Sequence, residues 1–235
     1  MGAQWKTAGK IANAAAKGKV FSKLAKEIMI AARAGADPSM NARLRAAVEA
    51  AKKASMPRDT LDRAIKKGAG LLDETVTFES VTYEGFAPHR VPVMVECLTD
   101  NKNRTATTIR VLFRKGQLGN AGSVSWDFAH LGFVEATPPE SGTTDAEEAA
   151  IESGAQDFEP DGQGGFHFYT EPADLDAVSK ALTAMGWTVA SMRLGWRPKN
   201  PIKLEDPAAR AEVEQFLHEL DDEDDVQHLY VGLEA

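Results

Sequence analysis

Lysine is the residue whose spacing in this sequence most plainly points to chemistry. Lys6, Lys10, Lys17, Lys19, Lys23 and Lys26 precede the first acid of the chain, and Arg43, Arg45, Lys52 and Lys53 follow on the next predicted helix. Cations clustered in this way neutralise phosphates and release their counterions. Lys102 and Arg104 lie in TDNKNRT (99–105), where a predicted strand gives way to a helix. Free backbone N–H groups, the helix dipole and two cations would converge there on a phosphate, although Thr, Asp and Asn are equally the residues that cap a helix. The candidate nucleic-acid-binding residues are therefore Lys6, Lys10, Lys17, Lys19, Lys23, Lys26, Arg43, Arg45, Lys102 and Arg104.

Other chemistry finds little support. The five histidines are scattered without H-E-x-x-H spacing, and neither a G-x-S-x-G nor a dinucleotide fingerprint occurs. GNAGSVS (119–125) lacks the lysine of a phosphate-binding loop, so its glycines read as turn or close-packing positions. The single Cys97 leaves no internal disulfide and no cysteine-based zinc site, and its apolar surroundings read as core. The acidic run 221–225 reads as a solvated turn rather than a metal site. No catalytic residue, metal ligand or cofactor is assigned, and the chain is expected not to be an enzyme.

The net charge of -8 would argue against a polyanionic ligand if it were evenly spread. It is not. Residues 1–78 hold 15 Lys and Arg against 7 Asp and Glu, whereas residues 205–235 hold one Arg against 11 acids. Such a chain can present a basic module to phosphates while its remainder repels them. No apolar run is long enough to span a bilayer and no signal-peptide pattern opens the sequence, so a cytoplasmic protein with no membrane partner is expected.

The elements that must carry these residues follow from periodicity. Helical stripes run over 20–33 (Phe21, Leu24, Ile28, Ala31, Ala32), from Asp37-Pro38 onward (Met40, Leu44, Ala47, Val48, Ala51), and after Pro57 (Leu61, Ile65). Asp37 is the expected cap of the second helix, with Pro38 in its first turn. β-Branched runs predict a hairpin at 77–84 and 91–99, then a helix at 103–115 and a strand at 123–128. Residues 133–196 read strand, helix, strand, strand, helix, strand, the ferredoxin-like order. A last helix (207–220) and strand (226–231) cannot bury their apolar faces alone and are expected to complete the sheet begun at residue 77. The expected fold is α+β in three domains: a basic helical bundle (1–78), a discontinuous α/β domain (79–132 and 205–235), and an inserted ferredoxin-like βαββαβ domain (133–204).

Five stretches are more specific than any of these patterns. MPRDTLDRAIKKGAG (56–70), YEGF (83–86), ECLTDNKNRT (96–105), GNAGSVSWDF (119–128) and DDVQHLYVGLE (224–234) closely resemble the YebC/PmpR family, and the resemblance runs essentially end to end. It implies a helical N-terminal domain and two α/β domains around a central concavity. Bacterial members are labelled probable transcriptional regulators that bind DNA. Mitochondrial members are translational activators of cytochrome c oxidase subunit I, and a newer view of the bacterial ones points to the ribosome. The partners implied are nucleic acid, with ribosomal RNA and the ribosome favoured and DNA as the alternative. Two departures stand out. The opening GAQWKTAGKIANAAAKGKVF (2–21) is shorter and less basic than the family's, and FAPHR (86–90) replaces its glycine-rich turn.

Overall fold

The computed structural model describes residues 14–72, 77–141 and 144–234. Helices α1 (Ala14–Ala32), α2 (Ala42–Lys53) and α3 (Arg58–Gly68) come first. Ile28, Ala31 and Ala32 of α1, Leu44, Val48 and Ala51 of α2, and Leu61 and Ala64 of α3 merge with Met56 into one apolar core. Each set recurs every three or four residues, so each helix has one face to bury and two neighbours to bury it against.

The start of α2 differs from the expectation. Asp37 accepts hydrogen bonds from the backbone and hydroxyl of Ser39 in a separate turn, and these hold its carboxyl below the usual range. Met40 is 87% exposed rather than part of the apolar stripe. The cap is Asn41, whose Oδ1 accepts from the Leu44 N–H at 3.0 Å while its Nδ2 donates to the carbonyls of Ala31 (2.7 Å) and Gly35 (2.9 Å). An amide can both donate and accept, so one side chain serves the end of α1 and the start of α2; a carboxylate only accepts.

α3 crosses α1 at Gly68, where a Cβ would sit 2.2 Å from the carbonyl oxygen of Met29. Gly68→Ala is expected to lower the free energy of urea unfolding by about 1–3 kcal/mol, because the helices must part to admit the methyl group. An unchanged midpoint would show that this crossing is not tight in solution.

Strands β1 (Glu79–Phe86) and β2 (Pro92–Thr99) form an antiparallel hairpin with Glu79 opposite Thr99. Within its connection His89 and Arg90 take positive φ (59° and 60°), where a glycine would be unstrained; this is where the family's glycine-rich turn is replaced. Helix α4 (Lys102–Leu112) follows, and the short β3 (Gln117–Leu118) pairs with β1. β2 is buried along nearly its whole length. One of its faces packs Val93, Val95 and Cys97 against α4 and, later in the chain, against Val213, Phe216, Leu217 and Leu220.

The second sheet comprises β4 (Phe128–Thr137), β5 (Asp157–Pro160), β6 (Phe166–Thr170) and β7 (Thr188–Pro198), with α5 (Ala146–Ser153) and α6 (Leu175–Ala184) in its two crossovers. Its order is β5-β6-β4-β7, antiparallel throughout, which is the ferredoxin-like arrangement. The chain then returns through α7 (Pro207–Asp221) to β8 (Val226–Val231), which pairs with β2 and gives the first sheet the order β3-β1-β2-β8. The fold is α+β, a helical body followed by two sheet bodies. On this topology we propose that the second sheet unit is inserted into the first.

The expected strand at 123–128 is instead a turn followed by one short 3-10 turn, Ser125–Asp127. The buried carboxylate of Glu84 accepts the N–H groups of Gly122 (2.8 Å), Val124 (2.9 Å) and Ser125 (2.9 Å), so they are not available to a ladder. Burial disfavours ionisation of Glu84, yet these donors hold its carboxyl below the usual range. β4 therefore begins at Phe128, and the boundary expected between 132 and 133 falls inside it. Among the described residues no helix is long and apolar enough to cross a membrane.

Candidate nucleic-acid interface

Lys19, Lys23 and Lys26 recur at four- and three-residue intervals and so share one face of α1. That face does not meet solvent alone. It lies against the C-terminal end of α7 and the acidic turn after it. Lys19 pairs with Asp222 at 3.0 Å in an exposed contact. Lys23 donates to the carbonyl of Asp221 at 2.7 Å and to its carboxylate at 2.9 Å. The last carbonyls of a helix carry partial negative charge, so an ammonium there offsets both the dipole and the side chain.

Lys26 uses all three of its donors within the protein: the carbonyls of Leu98 (3.1 Å) and Asp224 (2.8 Å) and Oδ1 of Asp225 (2.8 Å). Asp225 is only 3% exposed. Its Oδ2 accepts from Arg104 at 2.9 Å and lies 3.1 and 2.7 Å from the hydroxyls of Thr99 and Thr105. Burial by itself would raise the carboxyl, but the hydrogen bonds from Arg104, Lys26 and Thr105 outweigh it and hold Asp225 well below the ordinary carboxylate range. Helix α1, the β2–α4 junction and the α7–β8 turn thus meet on one carboxylate.

The TDNKNRT segment is built around the same point. Asn101 caps α4, its Oδ1 accepting from the Arg104 N–H at 3.1 Å, and the Asn101 N–H donates to the Thr99 hydroxyl at 2.9 Å. Arg104 also reaches Asp100 at 2.8 Å, and Lys102 pairs with Glu79. Capping and ion pairing account for the contacts that Asn101, Lys102 and Arg104 make within the protein. The acidic run corrects the sequence reading more sharply: Asp222 and Asp224 are exposed, but Asp221, Asp222 and Asp225 pair with α1, so the turn is also the docking ground of that helix. Asp225 lies in the acidic run and Thr99 and Thr105 in TDNKNRT, both marked by the sequence, but nothing in linear spacing joins the two segments. The available signal was the attraction expected between a strongly basic first block and a strongly acidic last one.

A second polar chain joins the bodies. His228 of β8 lies 3.4 Å from Glu27 of α1. Arg193 of β7 stacks over Phe133 and Tyr230 and donates to the Tyr230 hydroxyl at 3.1 Å. That hydroxyl donates to Glu96 at 3.0 Å, and Trp196 donates to the same carboxylate at 3.1 Å. Glu27 is held below its usual range against the opposing effect of burial, by its hydrogen bond to His228 and by the charges of His228, Arg43 and Arg193.

The cations left for an outside ligand lie elsewhere. Arg45, Lys53 and Lys66 are exposed on α2 and α3, outside the stripe of buried Leu44, Val48, Ala51, Leu61 and Ala64; Arg43 is exposed as well but lies close enough to Glu27 to help hold its carboxyl down. Lys52 is exposed beside Glu49, and Arg58 beside Asp62. Lys6, Lys10 and the side chain of Lys17 lie outside the described residues. The Cys97 thiol is pushed up to about 12 by burial and by Asp225 and Glu223, which makes it a core group rather than a nucleophile at neutral pH. Among the described residues no group of three or more His, Cys, Asp and Glu is placed to hold a metal ion.

Comparison with known proteins agrees with this architecture. Residues 2–71 match the TACO1/YebC protein N-terminal domain, and residues 78–233 match the TACO1/YebC second and third domain. A probable transcriptional regulatory protein of Pseudomonas syringae is 65% identical over 233 residues, 99% of each chain. One from Bdellovibrio bacteriovorus is 50% identical over 236 residues, covering 99% of this chain and all of its own. The crystal structure of a conserved hypothetical protein from Aquifex aeolicus superposes with a TM-score of 0.84 at 40% identity, covering 99% of this chain and 96% of the other. The helical body, the two sheets and these matches along nearly the whole length place the chain in the TACO1/YebC family.

Proposed function

We propose that this protein is a cytoplasmic, non-catalytic regulator of gene expression that binds nucleic acid through its helical body, and that its working ligand is RNA of the translation machinery. The observation that carries the reading is the outward presentation of Arg45, Lys53 and Lys66, with the exposed Arg43 on the same body, backed by an apolar core that fixes their helices. Lys6, Lys10 and Lys17 precede this surface in the chain and would extend it. Where the acidic 205–235 block meets the helical body, Asp221, Asp222 and Asp225 are paired with Lys23, Lys19 and Lys26, which offsets their repulsion of a ligand held on α2 and α3.

RNA is favoured over a duplex groove by the composition of α3. Asp59 and Asp62 share its exposed surface with Arg58, Arg63 and Lys66. A recognition helix would carry those carboxylates against phosphates and base edges, whereas irregular RNA is read by shape and backbone. The second reading is a transcriptional regulator that binds DNA; the relatives' names, probable transcriptional regulatory protein, favour its regulatory part.

Co-sedimentation with ribosomes across a salt series, beside duplex DNA at equal phosphate concentration, separates the two. Ribosome association is expected to persist at salt where duplex binding has collapsed, because counterion release alone would penalise both ligands steeply and only contacts beyond it spare one of them. Parallel loss, or a footprint on promoter DNA that survives competitor, would transfer the function to transcription.

A further inference from the structure

A large aromatic side chain is normally drawn into a core, and Trp187 is 2% exposed; Trp126 is 68% exposed. It is also held still. Its indole N–H donates to the Ser123 carbonyl at 3.0 Å, and its own carbonyl accepts from the Lys199 ammonium at 2.8 Å. The next residue is stitched to the same place: the Lys199 N–H donates to the Asp127 carbonyl at 2.9 Å, and the Asn200 amide donates to the Asp127 carboxylate at 3.1 Å. On the other side the loop is gripped by Glu84 through Gly122, Val124 and Ser125. Gly119 packs so closely that a Cβ there would lie 2.1 Å from the Ser123 hydroxyl.

With the N–H engaged, the indole has only its ring faces and edge to offer. We infer that Trp126 is a stacking platform for an unpaired base of single-stranded RNA, with the exposed Lys199 beside it for the adjoining phosphate. The inference rests on the RNA reading above and adds a contact outside the helical body.

The alternative of a protein partner is disfavoured by the surroundings. An aromatic anchor at a protein interface sits within an apolar patch that excludes water. Here the neighbouring positions are Asn120, Ala121, Gly122, Ser123, Lys199 and Asn200, and none of the other exposed large apolar side chains falls within 117–128 or 196–203. Base stacking needs no such patch, because every base has a π face. Asp127 is the single acid in 119–128, and its carboxylate already accepts from Asn200.

The test compares the intact protein with Trp126→Ala and Trp126→Phe by fluorescence anisotropy. The probes are a labelled unstructured 20-nucleotide RNA and a fully paired RNA duplex. Loss of one stacked base is expected to weaken single-strand binding by roughly 5- to 100-fold in Trp126→Ala. Trp126→Phe should retain most of the affinity, duplex binding should not change, and the thermal midpoint should stay where it is. Undiminished single-strand binding by Trp126→Ala, or an equal loss on both probes, overturns the platform while leaving the RNA reading in place. Failure of the intact protein to bind either RNA would remove both.

Discussion

Asp225→Asn is expected to destabilise the folded chain at neutral pH by about 3 kcal/mol, the low end of the range for removing one partner of a buried ion pair. The substitution preserves shape but strands Lys26, whose side chain is nearly buried, and removes a partner of Arg104. Arg104 is half-exposed and keeps Asp100, which is why the low end applies. The pH dependence gives the cluster a signature. A carboxylate held below its ordinary range contributes stability that is fully present above its unfolded pKa of about 3.9 and is lost only as pH falls through the lower folded value. Urea unfolding at pH 7 and pH 5 should therefore separate variant and parent by the same amount, and the two should converge only in stronger acid. A separation that fails to shrink even in stronger acid would mean that Asp225 titrates as an ordinary carboxylate and that the pairing is not maintained in solution.

The basic residues should divide into two classes under charge reversal. Replacing Arg45, Lys53 and Lys66 together by Glu removes exposed cations that lie outside the buried stripes of α2 and α3, so the unfolding midpoint should hardly move while nucleic-acid binding falls steeply. If each contacts one phosphate, the slope of log affinity against log salt on a duplex should become shallower by about 2.7. Reversing Lys23 and Lys26 should do the opposite first. These ammonium groups sit against Asp221, Asp225 and three backbone carbonyls, so carboxylates in their place face like charge and unsatisfied acceptors. Stability should fall by several kcal/mol, with any loss of binding following from the loosened α1. Stability measured by urea unfolding and affinity measured on the same preparations distinguish the classes. Equal losses of both in the Arg45, Lys53 and Lys66 variant would show that α2 and α3 carry structure on their outer faces and would move the interface elsewhere.

The two sets are told apart by three-dimensional neighbours alone. In the sequence the one acid near Lys23 and Lys26 is Glu27, a local neighbour of the kind that Lys52 and Arg58 have, whereas the partners that Lys23 and Lys26 take are 198 and 199 residues distant. Local spacing reports helix-surface pairs well and says nothing about docking between bodies. The same limit explains the loop before β4. Its β-branched and aromatic residues satisfy a strand pattern, but Glu84, some forty positions earlier, takes the backbone donors that a strand would need.

Sequence periodicity by itself determined the three helices of the first body, because burying one stripe per helix requires only residues three and four apart: Ile28 with Ala31 and Ala32, Leu44 with Val48 and Ala51, Leu61 with Ala64. The alternation of strands and helices from 133 to 196 likewise admitted the ferredoxin-like order, since connection rules leave few ways to close that pattern. The long motifs fixed the family, which physical patterns alone did not name. Tertiary structure decided the rest. It placed the start of α2 at a residue able both to donate and to accept, committed the α1 lysines to an acidic turn at the other end of the chain, and left Trp126 outside the core on a rigid loop. Each of these depends on groups brought within hydrogen-bonding distance only after the bodies pack, and a Coulomb or hydrogen-bond partner at 3 Å leaves no trace in linear spacing.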